Sequence, residues 1–182
     1  MGLLMRTFIG IPIPVDLRER IVEIQHLLKG NVKFVEPENL HVTVKFLGEI
    51  DENSVENVIS NVHVALERFK RFRITLENLG CFPDLKRIRV IWIGVKENKE
   101  KLVNLIKEIN SVLSGIGFCR EKRIEPHVTI GRVKRRDERV VNSVKKIGDV
   151  NIGEMFVEKV VLYKSELMPN GPVYTELHRW NI

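Results

Sequence analysis

The sequence predicts an α+β fold: two similar lobes related by a pseudo-twofold, with antiparallel sheets lining a central cleft and helices outside. Three observations predict it. Segments that alternate with period two are interleaved with segments whose apolar residues recur at helical spacing. The pattern His-x-Thr occurs twice in strand-like surroundings, at His41 and at His127. The segments downstream of the two copies also repeat. A helical segment begins roughly ten residues on; Phe72 and Trp92 lie 31 and 51 residues after His41, and Phe156 and Trp180 lie 29 and 53 after His127. The chain therefore reads as an internal duplication, approximately 16–95 and 98–182, each half in the order helix, His-x-Thr strand, helix, two strands. No Ser/Gly-rich linker separates the halves, so 1–182 reads as a single two-lobed domain.

Each element has its own signal along the chain. Phe8 to Pro14 reads as a buried strand that ends at proline. Asp16 is a candidate cap for the next helix, with Glu19 at the capping-box position, a stripe of Leu17, Ile21, Ile24 and Leu28, and Gly30 as its stop. His41 to Gly48 is a β-branched strand, and Val55, Val58, Ile59, Val62, Leu66 and Phe69 make one face of a second helix. Phe72–Leu79 and Arg89–Val95 read as strands joined through a turn-rich loop at Gly80–Asp84. A third helix runs from Leu102 to Leu113 and stops at Gly115. The pattern then restarts with the strand His127–Lys134 and a short helix around Val140, Val144 and Ile147, followed by strands Phe156–Leu162 and Val173–Trp180 around Pro169-Asn-Gly-Pro172.

Composition narrows the function classes. With 182 residues, 43% hydrophobic and 30% charged, the chain is too apolar to be disordered, and no apolar run approaches the ~20 residues needed to cross a bilayer. The start has neither a basic region before a long apolar stretch nor a small-residue cleavage site, so a cytoplasmic protein with no membrane partner is expected. The formal net charge of +6 tilts toward a phosphate-bearing partner. Its placement is more telling: residues 120–136 hold seven basic and two acidic side chains, as do residues 68–89. Cys81 and Cys119 sit in no metal-ligand spacing and read as reduced thiols. A single Gln and a single Ala among abundant Val, Ile, Lys and Glu point to a thermophilic source.

The chemistry lies in the two repeats. Residues two apart on a strand share a face, so each strand presents an imidazole and a hydroxyl together: His41 with Thr43, and His127 with Thr129. If the halves pack about a twofold, the pairs face one another across one cleft. Such a site suits displacement at phosphorus, which needs a base beside the attacking oxygen and an acid beside the leaving one. Histidine serves both roles near neutrality. Two histidines without acidic or thiol neighbours do not complete a zinc site, so no metal is expected.

HVTV at His41 and HVTI at His127 resemble the tandem HxTx signature of the two-histidine (2H) phosphoesterases. RTFIGIPIP, EPENLHVTVKFLGE, LGCFPDLKRIRVIWIGV, EPHVTIGRVK and LYKSELMPNGPVYTEL resemble the branch of RNA 2′,3′-cyclic phosphodiesterases, historically called 2′-5′ RNA ligases, in that branch's order over nearly the whole chain. The resemblance implies metal-independent hydrolysis of a terminal 2′,3′-cyclic phosphate to a 2′-phosphomonoester, without a cofactor. It implies His41 as proton donor, His127 as proton acceptor, and Thr43, Thr129 and Arg132 as phosphate-binding residues. Phe46 stands where Arg132 stands in the second motif, so the cleft is not chemically symmetric.

The expected partners are RNA ends with a 2′,3′-cyclic phosphate, tRNA fragments among them, and the expected oligomeric state is a monomer. Two alternatives stand beside this reading: 2′-5′ ligation by the reverse chemistry, and a non-catalytic module that binds RNA ends. Plainer readings also stand beside the site residues. Thr43 and Thr129 suit strands on propensity alone, and Arg132 with Lys134, Arg135 and Arg136 could be a solvated strip, the last three steering RNA if they contact it. Phe82 and Tyr163 are candidates to stack on a base or else core aromatics. His26 and His63 read as solvated, and His178 as structural.

Overall fold

The structure, a computed structural model, describes residues 4–182. The strands are β1 (Met5–Pro12), β2 (Lys33–Phe34), β3 (His41–Ile50), β4 (Phe72–Phe82), β5 (Val90–Val95), β6 (His127–Arg132), β7 (Asn151–Val157), β8 (Lys159–Met168) and β9 (Gly171–Asn181). The helices are α1 (Val15–Leu27) after β1, α2 (Glu52–Leu66) after β3, α3 (Lys99–Gly115) after β5 and α4 (Glu138–Ile147) after β6. The α+β class expected from the sequence is the class observed.

The helices form where the apolar stripes lie. Leu17 and Ile21 of α1, Val58 and Val62 of α2, and Leu102, Leu105 and Ile109 of α3 are all buried, and each such side chain contributes about 1.5–3 kcal/mol by leaving water. Asp51 caps α2 by accepting from Ser54 N at 2.8 Å. Asp16 caps nothing: Pro14 occupies the N-cap of α1 and Asp16 lies within the first turn, where a carboxylate meets only the helix dipole.

All strands belong to one antiparallel sheet in the order β7-β4-β5-β6-β3-β1-β8-β9, with β2 pairing β6 beside β3. Outward from the centre, β6-β5-β4-β7 and β3-β1-β8-β9 are topologically alike, and the two halves meet at one registered pair, Val42 opposite Val128. Each half is assembled from both halves of the chain, because β4 crosses to lie beside β5, and β8 to lie beside β1. The strand next to each histidine strand is thus the one preceding the helix before it, β1 for β3 and β5 for β6. Phe72 and Phe156, equated by their offsets from the histidines, sit on neighbouring strands β4 and β7 rather than in equivalent places.

Phe156–Leu162, expected as one strand, is two. The chain breaks at Glu158 because Val157 pairs with β4 while Leu162 pairs with β1, in the other half of the sheet. One residue cannot span a flat sheet of this width. The sheet therefore curls until its two ends approach, making a half-barrel with a concave face.

Candidate active site

Register places the motif residues. Val42 and Val128 are opposite one another and fully buried on the helix side. Antiparallel partners share a face and successive residues alternate, so His41, Thr43, His127 and Thr129 all lie on the other face, in the cleft. One step either side of the registered pair sets His41 against Thr129 and Thr43 against His127. Two motifs 86 residues apart (127 − 41) thereby form one cluster.

The imidazoles are held alike. His41 Nδ1 lies 2.7 Å from the Asn39 carbonyl oxygen, and His127 Nδ1 lies 2.6 Å from the Glu125 carbonyl oxygen. A carbonyl only accepts, so each Nδ1 carries a proton and each Nε2 is left to give or take one. His41 Nε2 is 3.1 Å from Thr43 Oγ1. Aromatic rings fix the imidazole planes. Phe8 lies 4.8 Å from His41, and Tyr174 meets it edge-on at 5.7 Å; Phe82 meets His127 edge-on at 5.1 Å, with Trp92 at 6.1 Å. Gly80 makes room for the indole, since a Cβ there would lie 2.2 Å from Trp92. Trp92 Nε1 is buried without a partner.

Burial lowers the pKa of His41 below its ordinary value, and the nearby charges of His127 and Arg132 push it the same way; the hydrogen bond to Asn39 opposes them. The neutral ring is thus favoured until an anion occupies the cleft.

Arg132 arrives by a β-bulge. Strict alternation would turn it toward the core with Val128 and Ile130. Instead Ile91 pairs with Gly131 and Trp92 with Thr129, leaving Ile130 as an extra residue. Beyond the bulge Arg132 is opposite Val90, on the face shared by Trp92 and Thr129. The first motif bulges at the matching place: Ile9 pairs with Lys45 and Gly10 with Thr43, leaving Val44 extra, so Phe46 emerges opposite Phe8. Lys45 turns inward there, buried, and donates to Asn110 Oδ1 at 2.8 Å and to the Cys119 carbonyl at 2.6 Å.

Gln25 of α1 secures the second bulge. It is buried, and its Nε2 donates to the carbonyls of Ile130 and Val35, both at 2.9 Å, while Val35 N donates to the Ile130 carbonyl at 3.0 Å. Reasoning from the sequence misses this role. The available signal is the chain's one glutamine, four residues after Ile21 on the apolar stripe. Phe8, Tyr174 and Trp92 are likewise site residues that the sequence did not single out.

Of the other expected residues, Phe82 stands against His127, whereas Tyr163 stacks on Phe8 at 5.1 Å, one ring removed from His41. Lys134, Arg135 and Arg136 are exposed; the Lys134 carbonyl accepts from Arg89, and Arg136 pairs with Glu138 at 2.6 Å. His26 is exposed, as is His63, which lies 3.7 Å from Glu67, and His178 packs against Trp180. Among the described residues no three His, Cys, Asp or Glu side chains group as a metal site would require, and no helix is long and apolar enough to cross a membrane.

Known proteins are similar to this chain in sequence and fold. The chain matches the LigT-like phosphoesterase family twice in tandem, over residues 11–92 and 93–174, one His-x-Thr motif in each. A relative from Methanocaldococcus jannaschii, an RNA 2′,3′-cyclic phosphodiesterase by name, is 42% identical over 97% of this chain and all of its own. One of the same name from Archaeoglobus fulgidus is 39% identical over 95% of this chain and 98% of its own. The crystal structure of TT0787 from Thermus thermophilus superposes with a TM-score of 0.84 at 29% identity, covering 97% of each chain. That of Escherichia coli LigT in its apo form has a TM-score of 0.80 at 23% identity and shows the shared fold. The chain belongs to the LigT-like phosphoesterase family of the 2H superfamily.

Proposed function

We propose that this chain is an RNA 2′,3′-cyclic phosphodiesterase, a phosphoric diester hydrolase that opens a terminal 2′,3′-cyclic phosphate to a 2′-phosphomonoester. The observation behind this reading is the pair of imidazoles on strands joined at Val42 and Val128, each with Nδ1 committed to a backbone carbonyl and Nε2 left for proton transfer. The names of the curated relatives agree with it and do not favour the ligase alternative.

In this reading neutral His127 takes a proton from the attacking water. The water oxygen bonds to phosphorus in line with the departing 3′ oxygen, and protonated His41 delivers its proton to that oxygen as the bond breaks. Thr43 and Thr129 hold phosphoryl oxygens as hydrogen-bond donors, and Arg132 offsets the charge that develops on them. A bound phosphodiester anion raises the pKa of His41, countering the burial that lowers it in the empty cleft. With a 5′-hydroxyl as the attacking group in place of water, the same displacement would join the two ends through a 2′-5′ linkage, and water at its bulk concentration favours hydrolysis.

The test is turnover of a nucleoside 2′,3′-cyclic phosphate in the presence of EDTA. Undiminished hydrolysis to the 2′-phosphate is expected, with each of His41→Ala and His127→Ala costing about 10²–10⁴-fold in kcat/KM. A double variant should be little worse than the poorer single one, because the two groups serve one displacement. Retained hydrolysis by either folded single variant contradicts the mechanism, and binding of the phosphate without turnover supports the non-catalytic alternative.

A further inference from the structure

Strand β2 is two residues long, yet it sets Lys33 opposite Arg132 and Phe34 opposite Gly131. Partners share a face, and Arg132 faces the cleft, so Lys33 does too. The neighbours of Lys33 agree: a Cβ on Gly131 would lie 2.6 Å from Val32 Cγ1 and 3.5 Å from Phe34 Cδ1, so Val32 and Phe34 take the opposite face. Two cations directly opposite one another on antiparallel strands repel and destabilise the pair. Both are exposed, and among the described residues neither forms an ion pair. Farther along the chain Arg136 is matched with Glu138 and Arg139 with Asp137, whereas Lys134 and Arg135, on the exposed loop after β6, form no ion pair among the described residues. Gln25 clamps the two strands together beside the bulge, so the cation pair is built into the rim.

The position of the pair fits the reaction. The registered pair sets Thr129 against His41, so Arg132, farther along β6, lies beyond the His41 end of the cleft. The leaving 3′ oxygen belongs to the terminal ribose, and donation from His41 places that ribose, with the chain leading away from it, at the same end. The next anion there is the 5′ phosphate of the terminal nucleotide. We infer that Lys33 forms a second phosphate subsite beside Arg132: Arg132 serves the reacting phosphate, while Lys33 takes the phosphodiester on the 5′ side of the cyclised nucleotide and makes the protein prefer an RNA end over a free cyclic mononucleotide.

This inference rests on the reading of the reaction above, and the experiment separates the two. It compares kcat/KM for a dinucleotide ending in a 2′,3′-cyclic phosphate with kcat/KM for the corresponding mononucleoside 2′,3′-cyclic phosphate, at about 50 and 200 mM salt. The wild type is expected to prefer the dinucleotide, and to prefer it less at high salt. Lys33→Ala should cut that preference about 3–10-fold and flatten its salt dependence, the signature of one lost phosphate contact, while Lys33→Arg retains both. Arg132→Ala should lower kcat/KM for both substrates. No preference in the wild type, a preference unmoved by Lys33→Ala, or equal loss on the two substrates overturns the subsite. Arg132→Ala without effect on either substrate overturns instead the reading of Arg132 at the reacting phosphate.

Discussion

In the proposed reaction His41 donates a proton from a place that disfavours holding one. Burial and the charges of His127 and Arg132 lower its pKa, and only the Asn39 carbonyl opposes them. The protonated fraction of His41 in the free enzyme falls as pH rises through a pKa below 6.5, so the alkaline limb of kcat/KM should lie on the acid side of that value. Arg132→Gln removes one lowering charge and should move this limb to higher pH while reducing the maximum. A limb that stays in place, measured on a cyclic mononucleotide, would show that Arg132 does not act on His41. The same lowered pKa links to stability: the unfolded chain takes up a proton near pH 6.5 that the folded ring refuses, so folding weakens as pH falls through and below that value.

Among the elements, the two bulges decide which side chains the cleft receives. Each extra residue, Val44 in β3 and Ile130 in β6, reverses the alternation behind it. Lys45 goes into the core and Phe46 comes out of it; Gly131 goes in and Arg132 comes out. The second bulge depends on Gln25, whose two donated bonds satisfy carbonyls of Ile130 and Val35. Gln25→Met, which keeps the length but not the donors, should cost about 1–3 kcal/mol of stability, because the half-buried Val35 carbonyl and the buried Ile130 carbonyl both lose a side-chain donor. It should also lower kcat/KM toward that of Arg132→Ala, with the double variant no worse than Arg132→Ala alone. Additive losses in that cycle would mean that Gln25 supports the fold but not the placement of Arg132.

Across the molecule, exchange of β4 and β8 between the halves of the sheet makes each half depend on both ends of the chain. Alone, residues 1–97 would lack β6 beside β5, β7 beside β4 and β8 beside β1, and would expose three long strand edges. The expected outcome is that neither 1–97 nor 98–182 folds by itself, and that the intact chain unfolds in one transition seen equally by Trp92 and Trp180 fluorescence and by far-ultraviolet circular dichroism. A stable, monomeric 1–97 fragment with native-like sheet signal would contradict this.

Local pattern was enough to locate most strands and the helices α1 to α4 of the described residues, to reveal the duplication, and to put an imidazole and a hydroxyl on one strand face, because each of these depends on residues close together in the chain. His41 with Thr43 and His127 with Thr129 needed nothing beyond the period of a strand. Other features waited for the packed molecule. Phe72 and Phe156 have similar offsets but lie side by side, since strand pairing is a choice among distant partners that local pattern does not encode. Phe156–Leu162 reads as one strand, yet it divides at Glu158 between the two halves of the sheet. Lys33 beside Arg132, and Gln25 beneath Ile130, join residues about a hundred positions apart through a bulge with no signature in local hydrophobicity. A strand's period tells which residues share a face only until an unpaired residue is inserted, and whether one is inserted depends on the strands and the helix packed against it.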